Sequence, residues 1–155
     1  MNKTLKDVRA EVRGNLERNN KLKELAYKNF YDVINDSCET IYISNEQLKT
    51  LQIGERVKVS GNDDVEFIKI SETPTKMVFH TIMIAGGKFV GHFHDWIEIT
   101  KVLKGSMIET QKGERNSPMV LRVGDRAIYD KGEKHAMYVD EYTLLEVTFL
   151  EEIKG

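Results

Sequence analysis

The sequence predicts an all-β antiparallel sandwich or barrel behind a short helical arm, and three observations support this fold class. Short β-rich segments follow one another from residue 39 onward. Breaks that contain glycine separate many of these segments, as turns between antiparallel strands require. A helical spacing of apolar residues is confined to the first 38 residues. We therefore divide the chain into a helical arm, residues 1–38, and a β-barrel domain, residues 39–155.

The arm shows apolar residues three and four apart, which predicts an amphipathic helix; they are Leu5, Val8, Val12 and Leu16. Thr4 and Asp7 have the spacing of a capping box, which begins a helix. Gly14 and the polar residues after it interrupt the pattern, so we expect two short helices near 4–17 and 21–31. The arm is too short and too charged for an independent domain, and we expect it to pack on the barrel or on a second subunit.

The barrel begins with a β-rich segment and a short helix. Ser44 and Gln47 form a capping box for a helix over residues 45–51. The predicted strands are Thr40–Ile43, Arg56–Ser60, Val65–Ser71, Lys76–Ala85, Glu98–Leu103, Ser106–Thr110, Pro118–Val123, Arg126–Tyr129, Ala136–Val139 and Tyr142–Leu150.

Composition excludes several classes of protein. The 155 residues are 40% apolar and 31% charged, which is typical of a soluble globular chain. The 23 basic and 25 acidic residues balance to a net charge of −2, so a long nucleic-acid footprint is not expected. The apolar run at residues 82–85 is far too short to cross a membrane. A lone cysteine, Cys38, cannot form an internal disulfide, and the start of the chain has no apolar signal segment, so we expect a cytoplasmic protein.

Three of the four histidines cluster with a carboxylate. His92 and His94 are two residues apart, so on a strand their side chains share a face with Cα atoms roughly 6.6–6.8 Å apart. Imidazoles at that spacing can converge on one metal ion at about 2.0–2.1 Å. Glu98 follows four residues later, and His135 follows a turn at residues 130–132. We therefore predict a metal site with His92, His94, Glu98 and His135 as ligands.

Two spaced motifs contain these four residues. The first is Gly86-x5-His92-x-His94-x3-Glu98-x6-Gly105, and the second is Gly124-x5-Asp130-x-Gly132-x2-His135. In both, the chain resembles the cupin superfamily, and the first motif matches at every fixed position. The family usually has Pro where this chain has Asp130 and Asn where it has Val139. The resemblance implies a jelly-roll barrel (a double-stranded β-helix) with a three-histidine, one-glutamate metal centre.

The predicted ligands do not decide which metal binds. Three imidazoles and one carboxylate suit Fe, Mn, Ni, Zn or Cu. Four protein ligands leave one or two octahedral positions for water, substrate or dioxygen. We favour Fe(II), with Zn, Ni or Mn as alternatives, and expect a small organic molecule to bind in the barrel lumen.

Strand phase predicts what surrounds this site. If Glu98 points inward, Thr100 and Val102 also do, and an apolar row falls on the opposite face; that row is Ile97, Ile99 and Leu103. Exposed rows of this kind are unfavourable, so we expect another sheet or subunit to cover it. Proteins of the similar family commonly pair through such surfaces, which implies a homodimer. The remaining histidine, His80, is expected at an edge or surface, and Tyr129 is a candidate hydrogen-bond donor to the site.

Three functions are compatible with these residues. The first is a metal-dependent enzyme, an oxygenase of the dioxygenase kind, in which Glu98 could leave the metal and act as a base, as the resemblance implies. The second is a non-catalytic binding or sensing module whose helical arm relays ligand occupancy to a partner. The third is an isomerase or epimerase of sugars or similar metabolites, which would require inward-facing polar residues; those near enough in sequence are Arg122, Arg126, Lys134 and Tyr129.

Overall fold

Strands make up most of the computed structural model, which describes residues 4–19, 41–59, 62–111 and 115–152. Helix α1 spans Leu5–Asn19 and helix α2 spans Asn45–Lys49. The strands are β1 (Ile41–Ile43), β2 (Arg56–Val59), β3 (Asn62–Thr73), β4 (Lys76–Met83), β5 (Lys88–His94), β6 (Ile97–Lys104), β7 (Ser106–Gln111), β8 (Arg115–Arg122), β9 (Arg126–Tyr129), β10 (His135–Tyr138) and β11 (Thr143–Leu150).

These strands form two sheets. The five-stranded sheet has the order β1-β5-β10-β7-β8, and the six-stranded sheet has the order β2-β3-β4-β11-β6-β9. The pair β1–β5 is parallel, and the other pairs are antiparallel. The predicted all-β fold class is therefore confirmed. Strand β5 was not among the strands predicted from the sequence, although the metal-site prediction required His92 and His94 to lie on one.

Alternation along the strands builds the core between the sheets. In β4, burial alternates residue by residue, and Met77, Phe79, Thr81 and Met83 are the buried set. His80 was predicted at an edge or surface; it lies on the other, half-buried face of β4, which is an inner strand of its sheet. In β6, Glu98, Thr100 and Val102 are buried together, which confirms the predicted phase of that strand. The homodimer predicted from the opposite face of β6 stays a prediction.

Helix α2 covers one part of the barrel. Its capping box forms as predicted: the Ser44 hydroxyl accepts from the Gln47 amide at 3.2 Å, and the Gln47 side chain accepts from the Ser44 amide at 2.9 Å. Leu48 is buried in the core. The Lys49 ammonium lies 5.1 Å from the centre of the buried Trp96 ring, a cation–π contact that holds the helix against the barrel.

Helix α1 packs on strands β8 and β9. Val12 is buried in the barrel core, and Leu5 and Val8 pack against this core. The Thr4 hydroxyl accepts from the Asp7 amide at 3.2 Å, so the predicted cap also forms. The predicted second helix at 21–31 and the boundary at residues 38–39 lie outside the described residues. Neither described helix is long and apolar enough to cross a membrane.

Candidate metal centre

Two histidines from one sheet meet a glutamate from the other. His94 is the last residue of β5 and His135 the first of β10, whereas Glu98 lies in β6. Glu98 Oε1 is 2.9 Å from His94 Nε2 and 3.3 Å from His135 Nε2. Each residue offers one ligand atom, and these atoms lie within 4.8 Å of one another. All three side chains are buried. We call these three residues the Glu98 cluster.

The fourth predicted ligand, His92, is described only by its backbone. In the antiparallel pairing of β5 with β10, the Cα of His92 is the register partner of the Cα of His135. This places the two motifs side by side in one sheet. The His92 side chain lies outside the described residues, so its role as a ligand stays a prediction.

A glycine turn joins the two motifs directly. Gly132 adopts φ 71°, a left-handed conformation that residues with a Cβ rarely adopt. Its amide donates a 2.9 Å hydrogen bond to the carbonyl of His94. The turn before His135 is thus tied to the strand end that carries His94.

Glu98 has an aromatic neighbour on each side in its own sheet. Its register partners are Tyr129 on β9 and Phe149 on β11. The Tyr129 ring stacks on His135 at 3.8 Å between centroids with 4° between the planes. The Phe149 ring lies 4.7 Å from the His94 ring at 59°. One row of the six-stranded sheet therefore supplies the carboxylate and packs against both imidazole rings.

Hydrogen bonds orient the potential ligands. His135 Nδ1 lies 3.1 Å from the Glu133 carbonyl oxygen, which can only accept, so Nδ1 carries the proton of this contact. In a neutral imidazole, the lone pair is then on Nε2, the atom that faces Glu98. The Thr100 hydroxyl donates to Glu98 Oε2 at 2.6 Å, which leaves Oε1 toward the histidines.

The Glu98 carboxyl is ionised at neutral pH despite its burial. Burial alone raises its pKa, but His135 and His94, where they carry a proton toward Glu98, outweigh that effect through charge and hydrogen bonds and hold the pKa well below its ordinary value of 4.5. A carboxylate must be deprotonated to bind a metal.

The donor atoms fit a divalent metal ion. Two imidazole nitrogens and one ionised carboxylate oxygen already lie close to a common point, and one histidine has its ligand atom selected by a backbone hydrogen bond. Such borderline nitrogen and oxygen donors suit Fe, Mn, Ni, Zn or Cu. The cluster is thus compatible with a metal ion and does not choose among these metals.

Sequence reasoning missed two supports of this centre. Tyr129, named only as a candidate donor, stacks on His135, and its hydroxyl donates to the fully buried Glu109 at 3.3 Å. Arg9 of helix α1 makes two hydrogen bonds, at 3.0 and 2.9 Å, to the carboxylate of Glu133. The sequence carried a weak signal for Glu109, because this charged residue directly follows the apolar Met107 and Ile108 and precedes the end of the strand. It carried none for Arg9 and Glu133, which are 124 residues apart.

A cavity adjoins the cluster inside the barrel. All the space between its walls, with the opening toward solvent included, is about 370 Å³, but the part that admits the centre of a water-sized sphere is about 20 Å³, room for about one water molecule. Its lining is mostly aromatic and aliphatic, with His94 and Glu98 among the polar groups; the lining residues are Leu48, Phe67, Phe79, Thr81, Phe89, His94, Glu98, Met137, Leu145, Val147 and Phe149. His94 and Glu98, two members of the Glu98 cluster, are thus part of the cavity wall.

Comparison with solved structures identifies the fold. An RmlC-like cupin from Shewanella frigidimarina matches with a TM-score of 0.55 and 17% identity over 63% of this chain and 84% of that chain. The protein has the cupin fold. KdgF from a Halomonas species matches this cupin barrel with a TM-score of 0.52 and 17% identity, over 62% of this chain and 87% of its own. The DMSP lyase DddQ from Ruegeria pomeroyi matches with a TM-score of 0.58 and 20% identity, over 66% and 58%.

The other comparisons gave no match. No family model matches the sequence, and no curated protein matches it. The recognition of a cupin from the two motifs is supported by the structural neighbours, and at these identities the likeness establishes the fold.

Proposed function

We propose that this cupin is a metal-dependent enzyme that acts on a small, largely apolar organic molecule, and that its reaction is of the Fe(II) dioxygenase type. The observation that carries the proposal is the contact between the Glu98 cluster and the apolar cavity, since His94 and Glu98 are part of the cavity wall. A concave apolar site with a few convergent polar groups is the usual form of a small-molecule site.

Each residue of the centre has a distinct task in this proposal. His94, His135 and Glu98 hold the ion, with His92 as the fourth ligand. Fe(II), when bound, supplies Lewis acidity and one-electron chemistry. Tyr129 and Phe149 keep the two imidazole rings in place, and Thr100 fixes the carboxylate by its 2.6 Å hydrogen bond. The apolar walls exclude water from the reacting end of the substrate.

Glu98 is also the proposed base. Its carboxylate is ionised and lines the cavity, so Oε1 can accept a proton from a substrate positioned there. Thr100 holds Oε2, so Oε1 would bind the ion and would take the proton only after Glu98 has left the ion.

Elemental analysis and oxygen consumption test this function. We expect about one equivalent of metal in protein purified from its native source, and substrate-dependent oxygen uptake by the Fe(II)-loaded protein with small apolar metabolites. His94→Ala, His135→Ala and Glu98→Gln should each lower metal affinity more than about 100-fold and remove the activity.

His80→Ala is the matched control. His80 is a half-buried histidine of the same barrel on the outer face of β4, so its loss should leave metal content and activity unchanged. Metal content equal to wild type in His94→Ala would refute the ligand assignment. The wild-type protein could instead contain a full equivalent of metal, retain a small-molecule ligand and take up no oxygen with any substrate. That result would favour a non-catalytic binding module.

One observation favours the second candidate, a ligand-sensing module. Arg9 binds the Glu133 side chain, and the Glu133 carbonyl accepts from His135, so helix α1 is two contacts away from a metal ligand. Hydrogen exchange of the α1 amides should then slow on metal loading, and Arg9→Gln should abolish that difference. Exchange in α1 that is unchanged by metal would refute the relay.

The residues that line the cavity do not favour the third function, an isomerase or epimerase. The described residues around the cavity include no lysine, arginine or tyrosine that could move protons on a polar sugar. Lys134 is exposed, and Tyr129 is turned to His135 and Glu109.

A further inference from the structure

Apolar side chains on the outer face of the five-stranded sheet are buried. On β10, His135 points into the barrel toward Glu98, so Ala136 beside it points away from the barrel. Ala136 is 5% exposed, and Ile108 on the neighbouring strand β7 is 6% exposed. The partly buried Val120 and Tyr138 pack against this pair. We call these four residues the outer cluster.

The outer cluster extends over three adjacent strands. Ile108 is the register partner of Tyr138 on β10 and of Val120 on β8. All four members are strand residues of this one sheet, so the described helices contribute no apolar side chain to the cluster.

The six-stranded sheet offers a comparison. Its strand β4 has a neighbour on each side, as β7 and β10 do in the other sheet. The outer side chains of β4, Val78, His80 and Ile82, are nevertheless only half-buried. Because flanking strands do not bury these side chains, a further layer of chain must cover the outer cluster.

The path of the chain brings residues 20–40 to this face. Helix α1 ends at Asn19 and packs on β8, one edge of the five-stranded sheet, whereas β1, which begins at Ile41, is the opposite edge. Five strands have four spacings between them, roughly 19 Å in all. The remaining stretches outside the described residues have two or three residues each, too few to cover three strands; they are 1–3, 60–61, 112–114 and 153–155.

The sequence of this stretch has a face that fits the outer cluster. In the helix predicted at 21–31, apolar residues recur at helical spacing: Leu22, Leu25, Ala26 and Phe30. Glu24 and Lys28 are four residues apart and fall on the opposite, polar side. A helix of this length spans about 16 Å, close to the width of the sheet that the chain has to cross.

We infer that the outer face of the five-stranded sheet is the docking surface for residues 20–40 of the same chain, which cross it as an amphipathic helix with Leu25 and Phe30 against the outer cluster. The arm is then bound to its own barrel and not to a second subunit. The docked segment lies behind β10, the strand that begins with His135. This inference goes beyond the proposed function and does not depend on the reaction or on the metal.

Photocrosslinking of the full chain tests the docking directly. With p-benzoylphenylalanine in place of Phe30, irradiation should give crosslinks within one chain to β7, β8 or β10, identified by mass spectrometry. The same amino acid in place of Lys28, on the polar side of the predicted helix, should give no crosslink to these strands. Crosslinks to β3 or β4, no crosslink from position 30, or crosslinks between two chains would overturn the inference; the last result would make a second copy the occupant.

Solvent exposure of the outer cluster gives a second test. A soluble nitroxide should relax the methyl NMR signals of Ile108 and Ala136 at least twofold faster in Phe30→Asp than in wild type, because an aspartate on the apolar face undocks the segment. The methyl signals of Ile82, on the outer face of the other sheet, should not change, and Lys28→Asp is the matched control that should alter neither set. Unchanged relaxation at Ile108 and Ala136 in Phe30→Asp would refute the docking. If Phe30→Asp fails to fold, the crosslinks from position 30, where the aromatic ring is kept, still decide.

Discussion

Lys69 and Glu98 are two of the charged groups that the barrel buries, and the barrel stabilises them in different ways. The Lys69 ammonium is fully buried and donates to Leu51 O and Glu72 Oε1, both at 2.7 Å, with Lys49 O at 3.5 Å. Its partners lie within 20 residues of it in sequence. We call this group the Lys69 cluster. Glu98 instead meets two imidazoles that arrive on β5 and β10.

The difference separates a cluster whose hydrogen bonds are made within the chain from one whose atoms are compatible with a metal ion. An ammonium has three donors and no acceptor, and the Lys69 cluster uses them on the chain itself. Its carbonyl partners are Lys49, the last residue of α2, and Leu51, just beyond it, so Lys69 fastens the helix that brings Leu48 to the cavity. The Glu98 cluster presents nitrogen and oxygen lone pairs to one point, so it can accept a cation.

Metal removal should give the largest contrast. Metal at about 1,000 times its Kd should stabilise the protein by ~4 kcal/mol, because it binds the folded chain alone. Addition of a chelator should remove this stabilisation, as measured by thermal unfolding at fixed protein concentration. Glu98→Gln should show neither effect. A chelator-dependent Tm in Glu98→Gln equal to that of wild type would place the metal elsewhere.

Lys69→Met should lower the free energy of unfolding by about 2 kcal/mol, because buried carbonyl partners lose their donor. The expected loss is moderate since Glu72 is partly exposed and can regain water. Denaturant unfolding measures it, with Lys58→Met as the exposed control. Metal affinity should stay as in wild type; a loss of metal in Lys69→Met would erase the distinction between the clusters.

Two substitutions at Tyr129 separate its ring from its hydroxyl. Tyr129→Phe keeps the stacking on His135 and loses the contact with Glu109, so metal affinity should hold. Tyr129→Leu loses the stacking, and we expect affinity to fall about tenfold, the scale of support from outside the ligand set. Competition with a coloured chelator measures both. An equal loss of metal affinity in Tyr129→Phe and Tyr129→Leu would mean that the hydrogen bond of the Tyr129 hydroxyl to Glu109, and not the ring stacking, orients His135.

The smallest effect should come from the arm. A double-mutant cycle of Arg9→Met and Glu133→Gln should give a coupling energy of about 1 kcal/mol or less, because both side chains retain some exposure. Metal affinity should fall two- to threefold in each variant through the Glu133–His135 contact. Additive effects of the two substitutions on stability would show that the ion pair does not couple α1 to the barrel.

The sequence predicted the parts of this molecule that local patterns specify. The capping box of Ser44 and Gln47, the turn at residues 130–132 and the phase of β6 all depend on a few neighbouring residues, and all are confirmed. The gathering of His94, Glu98 and His135 came from motif spacing. Strand β5 was missed as an element because Gly91 and two histidines interrupt its hydropathy pattern.

The remaining features depend on contacts between distant segments. Strand β3 carries Ile68 and Ile70, yet the structure buries Lys69 and leaves Ile70 41% exposed, because the ammonium finds carbonyls of another segment. Hydropathy along one strand cannot report such partners. The same holds for Glu109 and for the ion pair of Arg9 with Glu133.

The hydrogen bond from Gly132 to the carbonyl of His94 also constrains how this protein reaches its native state. It closes a long loop between the two motifs, and the entropy of closure opposes it until the intervening strands have paired. Non-local pairings of this kind form slowly in β proteins. We therefore expect the Glu98 cluster to assemble late in folding, and ion uptake during refolding should report the finished barrel instead of its early collapse.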